Sequence, residues 1–160
     1  MTRGHAPLTK LTALVLAGSR AGGDPLAEHA GVSHKALIDI GGQAMIERVV
    51  AALAASPSVA RIVICIERPE LLTGLAGLRA PACTKPLEPM PAAAGPSASV
   101  AAALEREGTP LLVVTGDHPL MRAEWIESFL AGAAIDADVA VALSRRDAVM
   151  SAVPDTQRTW

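Results

Sequence analysis

Apolar residues in this chain come in short dense runs separated by stretches of helical period. Residues 11–17, LTALVLA, form a near-continuous apolar run, as do residues 59–66 and 111–115. Such runs are what a strand covered on both faces requires, and residues 137–143 predict a fourth strand. From Gln43 the pattern turns helical: Met45, Ile46, Val49, Val50 and Leu53 share one face, with Glu47 and Arg48 pointing elsewhere, and Ser56-Pro57-Ser58 ends the run. Residues 97–107 predict a helix with Val100 and Leu104 inward. Residues 122–130 predict another, with Trp125, Ile126, Phe129 and Leu130 on one side. Residues 70–78 hold a short helix weakened by Gly74 and Gly77, and residues 36–40 are extended up to Gly41-Gly42. Residues 81–96 carry five prolines and little pattern, so they predict an extended surface loop. Strands alternating with helices mean βαβ units, hence an α/β fold: a three-layer αβα, Rossmann-like arrangement around a mostly parallel central sheet. In such folds ligands bind beyond the carboxyl ends of the strands. The loop after residue 17 and the turn after residue 115 both sit there, so they are expected to converge.

Composition narrows the class. A chain of 160 residues with 51% hydrophobic and 19% charged residues suffices for one globular domain, and residues 1–160 are read as a single domain. Net charge is -2 and no basic block appears, which argues against a nucleic-acid surface. With no Tyr, one Phe and two Trp, the core must come from Leu, Val, Ile and Ala. Cys65 and Cys83 form no CxxC pair, and Cys65 lies inside an apolar run, so it is expected to act as a small buried hydrophobe. Nothing requires an oxidising compartment. The apolar run of residues 11–17 is at the lower end of an h-region's length and contains Thr12, so it is taken as a strand rather than a signal peptide. No run approaches the ~20 apolar residues of a membrane helix, so a cytoplasmic location with no membrane partner is expected.

The informative part is the long polar loop of residues 18–35, set between two apolar elements. Small residues, free backbone N–H groups, one arginine and one lysine suit a polyphosphate. Two familiar phosphate loops do not fit. A dinucleotide fingerprint needs G-x-G-x-x-G, but Arg20 stands at the second glycine and the loop runs too far before a helix. A P-loop needs Lys-Ser after its second glycine, whereas Asp24-Pro25 follows Gly23, and an aspartate there would repel phosphate.

The segments LVLAGSR, HKALIDIGGQAMIERVV and VVTGDHPLM resemble the nucleotidyltransferases of GT-A-like, nucleotide-diphospho-sugar transferase type. The nearest resemblance is to the molybdenum-cofactor guanylyl- and cytidylyltransferases and related sugar-phosphate nucleotidyltransferases. The shared pattern is a strand ending in L-A-G-G, a loop with an arginine, a lysine before a short apolar stretch, G-x-P-[ML]-[IL] opening a helix, and a later strand ending in D-x-P. It covers almost the whole chain. Ser19 departs from the second glycine of L-A-G-G, the usual R-M-G is absent, and Ala44 replaces the expected proline. The family also normally continues past the equivalent of Trp160, adding strands, part of the acceptor pocket and often a second metal-binding aspartate. The chain is therefore expected to lack that C-terminal portion.

The resemblance implies an Mg²⁺-dependent enzyme that moves NMP from a nucleoside triphosphate to a phosphorylated acceptor and releases pyrophosphate. It places Gly18, Ser19 and Arg20 around the triphosphate, with the backbone of Leu16 and Ala17 near the base. Lys35 would neutralise charge at the α-phosphate, and Asp117 would hold Mg²⁺. Gly95, Ser97 and Ser99 fall in the loop-to-helix element bordering base and ribose, where Ser97 or Ser99 equally suits an N-cap. Arg20, Lys35 and Asp117 are thus the catalytic candidates. Against each stands a plainer role: a tight turn for Gly18, a solvated Arg20, a surface Lys35, a helix-capping Asp117. His34 is expected to be structural or solvent-facing, and His118 is not expected to be a ligand. Two rival functions compete: a nucleotide-binding module without catalysis, and an interaction fragment that folds by pairing with another chain. A homo-oligomer is compatible with all three. No side chain identifies the base or the acceptor.

Overall fold

The computed structural model describes residues 10–19, 22–134 and 136–155. Four strands, β1 (Leu11–Leu16), β2 (Val59–Cys65), β3 (Leu87–Met90) and β4 (Leu111–Thr115), form one sheet in the order β3-β2-β1-β4, every pair parallel. The helices are α1 (Pro25–His29), α2 (Met45–Ala55), α3 (Pro96–Glu107), α4 (Ala123–Gly132) and α5 (Arg146–Ala152). The expected α/β class and parallel central sheet are observed.

Alternation along the central strands sorts the core onto two faces. Ala13 and Val15 of β1 join Ile62 and Ile64 of β2, Val49 and Leu53 of α2, and Ile126 and Leu130 of α4 in the larger cluster. Leu14, Val63 and Cys65 turn the other way, meeting Met90 and Ala103 of α3. Successive side chains on a strand point to opposite faces, so both must be apolar when helices cover both. Each fully buried Leu, Ile or Val stabilises the fold by about 1.5–3 kcal/mol. No helix among the described residues is long and apolar enough to cross a membrane.

Several expectations are corrected. Residues 137–143 form no strand. Val139, Val141 and Leu143 are 78%, 68% and 87% exposed. A strand needs a neighbouring ladder, and β propensity alone does not supply one. The fourth strand is β3, inside the proline-rich segment: four residues suffice because β2 supplies the ladder and β3 lies at the sheet edge, where a proline is tolerated. Residues 70–78 are not an α-helix but two 3₁₀ turns, Pro69–Leu72 and Ala76–Leu78. Residues 36–40 begin in another such turn, Lys35–Leu37, and pair only at a single Asp39–Ala44 bridge. The loop of residues 18–35 contains α1, which Asp24 caps by accepting from the N–H groups of Leu26 (2.9 Å) and Ala27 (3.2 Å).

Glu47 does not point away from the core. It is 9% exposed and accepts from the N–H of Ala44 at 2.8 Å and of Gly77 at 2.7 Å. A Cβ on Gly77 would stand 2.9 Å from Glu47 Oε1, so glycine lets that turn close on the carboxylate. In α3 the buried side chains are Ser99 and Ala103, with Val100 against the second cluster, while Leu104 is 39% exposed. Small residues let the helix lie close to the sheet, which rotates Leu104 outward. Trp125 is 58% exposed, with the Arg122 guanidinium 5.6 Å from its ring centroid.

Candidate active site

The carboxyl ends of the parallel strands open into one cavity of about 350 Å³. β1 contributes Leu16, Ala17, Gly18 and Ser19; β2 contributes Cys65 and Glu67; β4 contributes Thr115 and Asp117. Beside the β4 end lie Lys35 and Ala36, and Asp24 and the segment 92–96 with Ser99 complete the lining. The strand ends are locked together by backbone bonds: Ala17 N–H donates to Cys65 O at 2.9 Å, and Gly116 N–H to Leu16 O at 2.8 Å. A Cβ on Gly116 would lie 3.1 Å from Ala36 Cβ and 3.4 Å from Ala17 Cβ. That close approach brings the β4 turn beside the Lys35 turn.

There Lys35 Nζ meets Asp117 Oδ2 at 2.8 Å, and Thr115 Oγ1 donates to Asp117 Oδ1 at 2.6 Å. Both partners are about one-third exposed, at 38% and 30% of their side chains. Partial burial pushes the Asp117 carboxyl up, but the hydrogen bonds from Lys35 and Thr115 and the lysine charge outweigh it and hold the group below its ordinary range. Asp117 is therefore an ionised carboxylate with acceptor capacity left over. Among the described residues no group of three or more His, Cys, Asp or Glu is arranged to hold a metal. One carboxylate fits Mg²⁺ only where substrate phosphates and water supply the other ligands, which is a usual arrangement for that ion.

Of the residues singled out from the sequence, Leu16, Ala17, Gly18, Ser19, Lys35, Gly95, Ser99 and Asp117 line this cavity. Arg20 lies outside the described residues. Ser97 is exposed and does not reach the cavity wall. Neither serine is an N-cap: Gly95 takes that position, and the buried Ser99 hydroxyl accepts from Ala93 N–H at 3.0 Å, bracing the wall instead. His34 is structural and buried at 3% exposure, while His118 is exposed. Cys65 is buried as expected, and burial pushes its thiol up, which keeps it protonated.

Glu67 is the residue that sequence reasoning missed. It follows β2 just as Asp117 follows β4, and that strand-end position was the available signal. Its carboxylate accepts from Ser19 N–H, with Oε1 at 3.0 Å and Oε2 at 3.3 Å, and Oε2 lies 3.1 Å from His34 Nε2. Partial burial raises its pKa, but hydrogen bonds from its own backbone, His34 and Ser19 bring the balance below the ordinary range.

Comparison with known proteins bears on the fold and the family. No curated protein matches the chain. A hypothetical transferase from Thermus thermophilus is similar, with 28% identity over 94% of this chain and 58% of its own, at a TM-score of 0.66. A CMP:2-keto-3-deoxy-manno-octonic acid synthetase complexed with CTP shares the fold at 18% identity, covering 78% of this chain and 47% of its own, TM-score 0.56. So does a 4-diphosphocytidyl-2C-methyl-D-erythritol synthase from Anaerococcus prevotii, at 11% identity, 76% and 50% coverage, TM-score 0.56. The chain thus spans 47% to 58% of the length of these structures. The family model described as MobA-like NTP transferase domain matches residues 13–153. With that match covering both strand-end loops and the Lys35–Asp117 pair, the chain belongs to the MobA-like NTP transferase domain family.

Proposed function

We propose that this chain is the nucleotide-binding and catalytic portion of an Mg²⁺-dependent nucleotidyltransferase. It moves a nucleoside monophosphate from an NTP to a phosphorylated acceptor and releases pyrophosphate. The observation that carries the reading is the Lys35–Asp117 pair at 2.8 Å on the rim of the cavity that Gly18 and Ser19 wall. A cation and a carboxylate, remote in sequence, face a glycine-containing loop at the ends of parallel strands. That is a polarised site for a polyphosphate and its counterion.

In the reaction an acceptor oxygen forms a bond to the α-phosphorus, and the bond to the oxygen bridging the α- and β-phosphorus breaks, so pyrophosphate leaves with that electron pair. This chain's part is positioning and charge stabilisation rather than covalent chemistry. The N–H groups of the Gly18–Ser19 turn face phosphate oxygens. Lys35 turns from Asp117 to the α-phosphoryl oxygens, where negative charge gathers in the transition state. Asp117, kept ionised, would hold Mg²⁺, whose charge would offset that of the phosphates. The wall of residues 92–96, braced by Ser99, borders the base and ribose.

The test is pyrophosphate release by wild type, Asp117→Asn and Lys35→Met, with each NTP, Mg²⁺ and candidate phosphorylated acceptors. Both variants should lose roughly 10²–10³ of turnover, the scale of removing one electrostatic contact to the transition state, while melting near the wild-type temperature. Full activity of Asp117→Asn would remove the metal assignment.

A further inference from the structure

We propose that Glu67 is an internal anion of the nucleotide loop: its carboxylate holds the Ser19 N–H that a nucleotide phosphate needs, so an incoming nucleotide must displace it. This deepens the nucleotide reading above and rests on it. A phosphate-binding turn works through backbone N–H groups aimed at an anion. Here one of those groups already has an anion. Ser19 N–H donates to Glu67 at 3.0 Å, and the carboxylate presses so closely on the loop that a Cβ on Gly18 would sit 2.9 Å from Oε1. A single N–H has one proton to donate. It cannot serve a carboxylate and a phosphate at full strength, and the two acceptors repel each other.

The carboxylate is held from behind and open in front. Its rear partner, His34, is 3% exposed, with Nε2 3.1 Å from Oε2 and with the Ser33 hydroxyl 2.8 Å from Nδ1. The Glu67 side chain itself is 38% exposed and lines the cavity. The charge strengthens the hydrogen bonds that brace the loop, and it also sets a fixed anion where a phosphate must come. A charged group in this position sets a threshold that a nucleotide must overcome through its other contacts, Lys35 and Asp117 foremost. The residue thereby favours ligands that reach those contacts over anions that engage the Gly18–Ser19 turn alone.

Calorimetric titration of the full chain separates the possibilities. Wild type, Glu67→Gln and Glu67→Ala are each titrated with Mg²⁺ plus GTP, CTP, ATP or UTP, and with Mg²⁺ plus inorganic tripolyphosphate, at low and high salt. Glutamine keeps the shape and one of the two acceptor oxygens and removes the charge, while alanine removes both acceptors. Both variants should bind the preferred nucleotide and tripolyphosphate roughly tenfold more tightly than wild type, the size of one like charge removed from a partly exposed site. The gap should shrink between about 50 mM and about 500 mM salt, because screening weakens the repulsion. Equal or weaker binding by Glu67→Gln overturns the proposal and leaves the nucleotide reading standing. Tighter binding of a nucleotide but not of tripolyphosphate also overturns it, since the gain would then lie outside the phosphates. Absence of binding by all three proteins overturns both readings together.

Discussion

Three carboxylates, Glu67, Asp117 and Glu127, are held below their ordinary range by neighbours that donate to them. For Glu127 the chief cause is the Ser56 hydroxyl, followed by opposing burial and then the Ser58 hydroxyl and N–H, which donate at 2.7 and 3.2 Å. The sign is the same for all three. A group with a lower pKa folded than unfolded contributes stability above the ordinary carboxylate range, and that contribution fades as pH falls through the folded value. The urea midpoint should therefore drop as pH goes from about 6 to about 3. Glu127→Gln, which lies away from the cavity wall, should flatten that drop; an unchanged slope would remove Glu127 from the account. Legibility at this scale followed chain position. Gly18 and Asp117 stood out because each follows an apolar run directly. Glu67 occupies the same kind of position, but Ile66-Glu67-Arg68-Pro69 matches no motif, and its partners His34 and Ser19 are far away in sequence. Glu47 was misread because a helical wheel assumes one buried surface, whereas the Gly77 turn supplies a second.

At the scale of elements, α2 ends on a lysine drawn from another part of the chain. Lys85 donates to Leu53 O at 3.3 Å, to Val59 O at 2.5 Å and to Ser56 O, gathering carbonyls at the end of α2 and the start of β2. The last carbonyls of a helix have no intrahelical partner, and a cation there also faces the negative end of the helix dipole. Lys85→Met keeps much of the stem's length but leaves these acceptors unmet. The expected cost is about 1–3 kcal/mol in urea unfolding, with the m-value unchanged. A loss below about 0.5 kcal/mol would mean that water replaces the ammonium without penalty. No sequence pattern announces this contact, because Lys85 sits in a proline-rich stretch whose role depends on where it crosses the fold. The same stretch hides β3. Four residues containing Pro89 read as loop until β2 offers them a ladder. Residues 137–143 fail in the opposite direction: their composition suits a strand, yet among the described residues no neighbouring strand pairs with them. By contrast β1, β2, β4 and α2 were legible, since a strand covered on both faces and a helix covered on one leave periodic apolar marks that hold without knowledge of the partner.

For the whole molecule the decisive quantity is how ligand binding shifts the folding equilibrium. The cavity draws one wall from each of the four strand ends and from the segments between them. A ligand seated there therefore bridges elements that unfolding would separate, and it binds the folded chain alone. Under that condition, ligand at 100 times its dissociation constant stabilises the fold by about 2.7 kcal/mol. For a domain of this size that raises the melting temperature by roughly 5–10 °C. The preferred nucleotide should produce such a shift with Mg²⁺ and a clearly smaller one without it. Asp117 is the proposed metal ligand, and phosphates without a counterion would meet the Asp117 and Glu67 carboxylates directly. The panel of GTP, CTP, ATP and UTP, each with and without Mg²⁺, also names the base, which no side chain in the sequence specifies. Asp117→Asn should erase the Mg²⁺ dependence while retaining part of the nucleotide shift. If all four nucleotides leave the melting temperature unchanged, the shared fold records descent, and the cavity serves some other ligand. If the shift appears equally with and without Mg²⁺, nucleotide binding stands, and the role of Asp117 reduces to holding Lys35 in place.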